Sequence, residues 1–296
     1  MSEASVAAAE EAAWSVGRVL IWATQDFRAR GFDSPRLDAE LLLGDALGVD
    51  RVRLFLEHER VLTSDELARC RAAIQRRRKG EPIAYIRGVR EFFGLPIQVD
   101  ARVLVPRPDT EILVETALRR TEHHDLFGTA LDLCTGSGCV ALAFASRRRT
   151  WRVWASDISE DALNVARDNA LRLGLSNVAF KHSDLFAALD PRLKFSLITA
   201  NPPYIPEAEI ASLQVDIREF EPHLALSGGA DGLDVIRRLI LDARPRLTPG
   251  GCLAMELHHD QAARVRELLA AAGYEAIETT RDYGGHQRVV SAAAPV

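Results

Sequence analysis

Long apolar runs, paired cysteines and an excess of positive charge are all missing from this sequence of 296 residues. Each absence removes a class of protein. The apolar run Val19-Leu20-Ile21-Trp22-Ala23 falls far short of the ~20 residues that a bilayer demands, so no membrane span is expected, and no signal peptide either. Cys70, Cys134, Cys139 and Cys252 form no C-x-x-C pair, which points to reduced thiols in a cytoplasmic protein rather than to a disulfide framework. A formal net charge of −5 counts against a DNA-binding protein, because neutralising duplex phosphates takes a basic face. The basic runs Arg76-Arg77-Arg78-Lys79 and Arg147-Arg148-Arg149 are expected at helix C-termini, solvated and favoured by the macrodipole. His123-His124 and His258-His259-Asp260 are adjacent residues that share no helix face, so they read as solvent-facing and no metal site is expected. With 47% apolar and 27% charged residues, the chain is an ordinary globular protein long enough for about two domains.

What is present is concentrated at Asn201-Pro202-Pro203-Tyr204. The tetrapeptide follows the apolar run 195–200, a buried strand by pattern, so it sits at the strand's carboxyl end, where open α/β sheets bind ligands. The Asn201 side chain and the Pro202 main chain offer two carbonyls able to grip both hydrogens of one NH2 group. Pro203 stiffens the turn, and Tyr204 offers a flat ring to pack against the amide plane. Such a grip aims the nitrogen lone pair outward, at an electrophile.

A place for that electrophile lies upstream. Residues 131–142 read as strand, glycine-rich turn and helix start, and the turn Cys134-Thr135-Gly136-Ser137-Gly138 lets a ligand approach the backbone. The small side chain of Cys134 suits that crowded position without any role as a nucleophile. A second strand ends in Asp157, about where a doubly wound fold places the carboxylate that holds a ribose. A third runs into Ser183-Asp184-Leu185-Phe186, whose Asp184 can accept from an adenine amino group beside the apolar Leu185. The glycines alone also fit a dinucleotide fingerprint, or a tight turn without a ligand. A nicotinamide enzyme, however, has no use for an amide clamp after strand four.

Along the chain, capping signals mark helices between about 13 and 80. Ser34-Pro35 precedes an apolar set of Leu37, Leu41, Ala46 and Leu47, while Thr63 to Glu66 forms a capping box before Leu67, Cys70 and Ile74. The Ala- and Glu-rich opening, Met1 to Glu11, reads as frayed. A hairpin-like stretch from Tyr85 to Val105 follows, with turn residues at Gly94 and Pro96. Helices are expected over 110–121, 138–148, 160–173, 231–245 and 260–272. Strands are expected over 129–133, 151–156, 177–182, 195–200, 250–256, 274–280 and 287–292. The short connection through Gly284-Gly285 forces the last two strands to pair antiparallel. The domains expected are a helical one at 1–85, a hairpin linker at 86–108, and an α/β doubly wound sheet domain at 109–296.

The set Asp132-x-Cys134-Thr135-Gly136-Ser137-Gly138, Asp157 and Asn201-Pro202-Pro203-Tyr204 resembles the class I S-adenosylmethionine-dependent methyltransferases that act on planar NH2 groups. Arg36 to Leu43, Gly80 to Gly88, Glu91 to Pro96, Val103 to Glu111 and Phe220 to Asp234 resemble the release-factor glutamine N5-methyltransferases, the HemK/PrmC family, over about residues 15–291. That resemblance implies a seven-stranded class I methyltransferase sheet with a reversed terminal hairpin. It implies S-adenosylmethionine held by the 134–138 turn, Asp157, Asp184, Leu185 and Asn201. It also implies a peptide chain release factor, docked by the helical domain, that presents the Gln of its Gly-Gly-Gln loop to a monomeric enzyme. The cysteine-rich turn and Ser183-Asp184-Leu185-Phe186 also look like sister enzymes acting on a large-subunit ribosomal protein. Arg107-Pro108-Asp109-Thr110-Glu111 and the Asp38-Ala39-Glu40 helix favour the release-factor branch. A nucleic-acid amino methyltransferase and a binding module without activity also fit parts of the pattern; oligonucleotide assays and cofactor titration separate them.

Overall fold

The computed structural model describes residues 14–124 and 126–296, so the expected fraying of Met1 to Glu11 lies outside the described residues. The chain divides into two compact units between Gly88 and Val89.

The first unit is helical: α1 (Val16–Ala29), α2 (Pro35–Leu47), α3 (Arg51–Leu56), α4 (Ser64–Arg78) and α5 (Ile83–Arg87). Its ends follow the sequence signals. At α4 the Thr63 hydroxyl accepts from the Glu66 N–H while the Glu66 carboxylate accepts from the Thr63 N–H, a complete capping box. Ser34 stands at the N-cap of α2 with Pro35 next, although its side chain makes no capping bond. The core gathers Val16, Val19, Phe27, Leu42, Leu43, Leu54, Cys70 and Ile74. The face expected of α2 differs: Leu37 is exposed, and Ala39, Leu42 and Leu43 are buried. Apolar residues run around most of this helix, so spacing selects no face, and the choice is made by Asp38, whose carboxylate meets Arg77 of α4 at 2.9 Å. The basic run at the end of α4 is accordingly not a solvated face. Arg77 is buried and stacked 3.9 Å over the Phe32 ring, Arg76 pairs with Glu81, and Arg78 with Asp26.

The second unit opens with a hairpin, β1 (Val89–Phe92) and β2 (Leu95–Gln98), turning at Phe93 and Gly94 with φ of 53° and 75°. Two left-handed central residues match the twist of the strands. Pro96 is a strand residue opposite Glu91 rather than part of the turn. This hairpin groups with the sheet unit, because buried Asn169 accepts from the Gln98 N–H at 2.8 Å and donates to its carbonyl at 3.0 Å.

There follow α6 (Glu111–Arg120), β3 (Thr129–Leu133), α7 (Cys139–Arg147), β4 (Arg152–Asp157), α8 (Glu160–Arg172), β5 (Val178–His182) and β6 (Phe195–Ala200). After an excursion through α9 (Val215–Phe220) come α10 (Asp234–Ala243), β7 (Leu247–Glu256), α11 (Ala262–Ala271), β8 (Glu275–Arg281) and β9 (Gln287–Ala293). Helix α10 starts later than its pattern suggests, because the Asp231 carboxylate caps a turn by accepting from the Leu233 N–H. The seven strands order as β5-β4-β3-β6-β7-β9-β8, all parallel except β9, which runs antiparallel to both neighbours. This is the class I methyltransferase sheet with its reversed terminal hairpin. One face packs Leu131, Ile198, Leu253 and Met255 against Ile236, Leu239, Val265 and Leu269, whereas the other packs Ala130, Val153 and Leu197 against Ala117, Phe144 and Trp151. Burial on both faces makes the central strands near-continuous apolar runs, which is why their limits were legible.

Candidate active site

The carboxyl ends of β3, β4, β5 and β6 border one cavity of about 280 Å³. Of the candidate residues, Cys134, Thr135, Gly136, Ser137, Asp157, Asp184, Leu185, Asn201 and Pro203 line it. Gly138, Pro202 and Tyr204 stand behind the wall. Gly138 (φ 83°) lets α7 approach α8, since a Cβ there would lie 3.1 Å from the Ala166 and Leu142 side chains. Pro202 is buried, and the Tyr204 ring packs against the core beneath β6 and β7.

Hydrogen bonds fix the wall piece by piece. Asp157 accepts from the Gly136 N–H at 2.8 Å and the Ser159 N–H at 2.9 Å, tying the glycine turn to the end of β4. Below it, buried Asp132 accepts from the Thr135 hydroxyl at 2.6 Å and the Thr199 hydroxyl at 2.7 Å. Burial pushes Asp132 up to about 6 against the pull of those hydroxyls, and burial likewise raises Asp157 above its usual range. Asp184 is half-exposed and pairs with Arg238 at 2.8 Å, both on the cavity wall. Cys134 and Leu185 hold left-handed backbones at φ of 55° and 48°, conformations that cost on the order of 1–3 kcal/mol in a residue with a Cβ. The strain sits where the main chain bends around the cavity.

Asn201 donates from Nδ2 to the Thr110 hydroxyl at 3.4 Å, and the Tyr204 hydroxyl donates to Glu256 Oε1 at 3.1 Å. The excursion after β6 supplies the opposite wall through Pro222, Leu224 and Ala225. The sequence pattern predicts only a loop there; the chain forms α9, on which nothing is buried, and 3₁₀ turns at Glu207–Ser212 and His223–Ala225. Its anchor is Glu221, almost fully buried, whose two oxygens accept from Arg107 at 2.8 Å each. Burial nonetheless pushes Glu221 up to about 7, despite the opposing Arg107 charge.

Comparisons with known proteins bear on the family and the fold. The PrmC N-terminal domain model matches residues 18–88 and the methyltransferase small domain model residues 108–218. A release factor glutamine methyltransferase of Chlorobaculum tepidum is 42% identical over 293 residues, covering 96% of this chain and 99% of its own length. That of Pseudomonas aeruginosa is 46% identical over 259 residues, covering 87% and 92%. The chain belongs to the release factor glutamine methyltransferase family. Among solved structures, a methyltransferase from Pyrococcus furiosus shares the fold at a TM-score of 0.53 and 21% identity, over 69% of this chain and 91% of that one.

Sequence reasoning gave the family motif Arg107-Pro108-Asp109-Thr110-Glu111 no task, and the structure makes it a hub. Arg107 meets Glu221, Asp109 meets Arg288 at 3.5 Å, Thr110 meets Asn201, and Glu111 accepts from the Phe93 N–H at 2.9 Å. Asn169 was also missed; besides the hairpin it holds the Ser137 carbonyl at 2.9 Å. Glu256 carried a usable signal, an acid that ends an apolar strand just as Asp157 does. His258, His259 and Asp260, expected to face solvent, bring their ligand-capable atoms within 4.8 Å of one another, with His258 Nδ1 and Asp260 Oδ1 2.7 Å apart. His259 and Asp260 are exposed.

Proposed function

We propose that this protein transfers a methyl group from S-adenosylmethionine to the side-chain amide nitrogen of a glutamine in a peptide chain release factor, the Gln of its Gly-Gly-Gln loop. The observation that carries the reading is the placement of Asn201 and Pro203 on the wall of the cavity that the glycine turn and Asp157 also border. The residues suit such a cofactor. Asp157 keeps lone pairs for ribose hydroxyls beyond those given to Gly136 and Ser159, Asp184 lies beside Leu185 for an adenine amino group, and Asp132 sets negative charge beneath a site for a cation. When bound, the cofactor supplies an electrophilic methyl on a sulfonium.

This chain's residues do the rest. An amide nitrogen is a poor nucleophile because its lone pair is delocalised into the carbonyl. Asn201 Oδ1 and the Pro202 carbonyl accept its two hydrogens, which favours pyramidal nitrogen, stabilises growing positive charge and orients the lone pair. Positioning of this kind supplies roughly 7–11 kcal/mol of barrier reduction. Tyr204 packs beneath the clamp, and the surplus amide proton leaves to water. No duplex contact is involved, and the enzyme acts as a cytoplasmic monomer. Among the described residues no helix is long and apolar enough to cross a membrane.

The helical unit docks the release factor. Val52, Phe55 and Leu56 lie three and four positions apart on α3 and are 68–76% exposed, an apolar face left open on the first unit. The test is incubation with methyl-labelled S-adenosylmethionine and purified release factor, followed by peptide mapping. Label on the Gly-Gly-Gln glutamine is expected, with turnover falling roughly 10²–10³-fold in Asn201→Ala while cofactor affinity, read by calorimetry, changes far less. Label on a ribosomal protein or an oligonucleotide in place of the release factor would overturn it.

A further inference from the structure

His258, His259 and Asp260 read as solvent-facing in the sequence because adjacent residues share no helix face. They do not lie on a helix. They occupy the turn between β7 and α11, where successive side chains are free to converge. One ligand-capable atom from each lies within 4.8 Å of the other two, and His258 Nδ1 stands 2.7 Å from Asp260 Oδ1. A fourth donor approaches from the turn that joins β8 to β9. The His286 ring meets the His259 ring edge-on with centroids 5.6 Å apart, just as His259 meets His258 at 4.2 Å.

Buried polar side chains hold both turns from behind. Gln261 accepts from the His258 N–H at 3.1 Å and donates to the Tyr204 carbonyl at 2.9 Å. Asp282 accepts from the His286 N–H at 2.9 Å and from Arg288 Nε at 3.1 Å. Arg288 then joins the two turns by donating to the Leu257 carbonyl at 3.4 Å, and its own charge is met by Asp282 and Asp109. Ligands carried on a frame of this kind lose little freedom when they close on an ion. Zinc holds its ligands at about 2.0–2.2 Å, so they stand roughly 3.3 Å from one another, and a small side-chain rotation brings atoms within 4.8 Å to that spacing.

Imidazole nitrogens with one carboxylate select zinc, nickel or copper over magnesium and calcium, which take oxygen ligands. We propose that the turn after β7 and the tip of the β8–β9 hairpin form a binding site for a divalent transition-metal ion of the zinc class, with His258, His259 and Asp260 as ligands and His286 closing the fourth position. The site stands apart from the methyl transfer proposed above, since none of the four residues lines the cavity. Its ion clips the reversed terminal hairpin to the end of β7.

The test titrates the full chain, free of any histidine tag and stripped of metal by a chelator, with zinc chloride in a calorimeter. Saturable binding of about one equivalent is expected. His259 and Asp260 are exposed, so His259→Gln and Asp260→Asn should fold normally and each weaken zinc binding by roughly 10–100-fold. His286→Gln should weaken it by about tenfold. Magnesium in about a hundredfold excess should leave zinc in place, whereas copper(II) should displace it. Cobalt(II) used in place of zinc should give a spectrum of nitrogen and oxygen ligation without a thiolate charge-transfer band. Zinc should also slow amide hydrogen exchange in peptides spanning 257–261 and 282–288 of the wild type, and not in His259→Gln. An absence of saturable binding, wild-type affinity in both His259→Gln and Asp260→Asn, displacement by magnesium, or a thiolate band that puts the ion on a cysteine would each overturn the proposal.

Discussion

In the helical unit a buried carboxylate is met by arginine, whereas at the carboxyl edge of the sheet it is met by hydroxyls and main-chain N–H groups. Asp38 faces Arg77, and Glu40 is flanked by Arg36 and Arg51 at 2.8 and 2.5 Å. Burial pushes Glu40 up, but its two arginines outweigh that and hold it below the usual carboxylate range. Among the described residues the hydrogen-bond donors to Asp132, Asp157 and Glu256 are neutral, and burial leaves all three carboxyls raised. Glu221 stands between the two patterns, paired with Arg107 yet still pushed up to about 7. The arginine pairs fix helices to one another and spend their charge in doing so. Among the described residues no arginine pairs with Asp132 or Asp157, which border the cavity proposed for a sulfonium cation.

The comparison breaks most sharply at Arg77. Arg77→Ala removes the arginine that meets the buried Asp38 carboxylate and should cost about 3–5 kcal/mol, read as a loss of denaturant midpoint in the helical unit. A change below 1 kcal/mol would mean that the pair does not organise the helices.

Asp132→Asn should behave in the opposite way at neutral pH, because among the described residues its charge has no cationic partner to strand. The folded value of about 6 lies above the ordinary 3.8, so the stabilisation that Asp132 gives is complete below about pH 4 and lost as pH rises through 6. That window is worth roughly 3 kcal/mol. Urea midpoints followed from pH 4 to 7 should therefore fall in wild type relative to Asp132→Asn; parallel curves would show that the group does not titrate there. The same variant should weaken S-adenosylmethionine binding more at pH 8 than at pH 5, since only the ionised carboxylate adds to the local potential.

The smallest effect is expected at Thr199→Val, which removes one of two hydroxyls from Asp132 and should cost about 1 kcal/mol. Loss of a donor to the ionised form moves the Asp132 window upward, so the stability curve should shift to higher pH. A shift the other way would contradict the role given to that hydroxyl.

Most of the sheet was legible because its central strands are buried on both faces and read as apolar runs, a signal that lies within a few residues of where it acts. Asn201, Asp157 and the 134–138 turn were legible for the same reason: they end strands. Partner choice was not legible. Nothing near Thr110 in sequence points to Asn201, ninety-one positions away, and nothing near Arg107 to Glu221. The buried face of α2 was legible in part: Ala46 and Leu47 pack against the core as expected, whereas Leu37 is exposed and Asp38 turns inward to Arg77 on another helix. The excursion at 207–225 buries little of its own, so it carries no periodicity to read.

Among the described residues strand β8 pairs only with β9 and leaves its other side unpaired, a row of amides and carbonyls on which a foreign strand could grow. Its register slips between Glu275 and Glu278 around Ala276, which sits at φ 48°, and Glu275, Glu278 and Arg281 put charge along it. A kinked, charged border of that sort discourages stacking of one molecule on the next. A catalyst that must hold a smooth parallel sheet open at one end thus guards its far border by being irregular there.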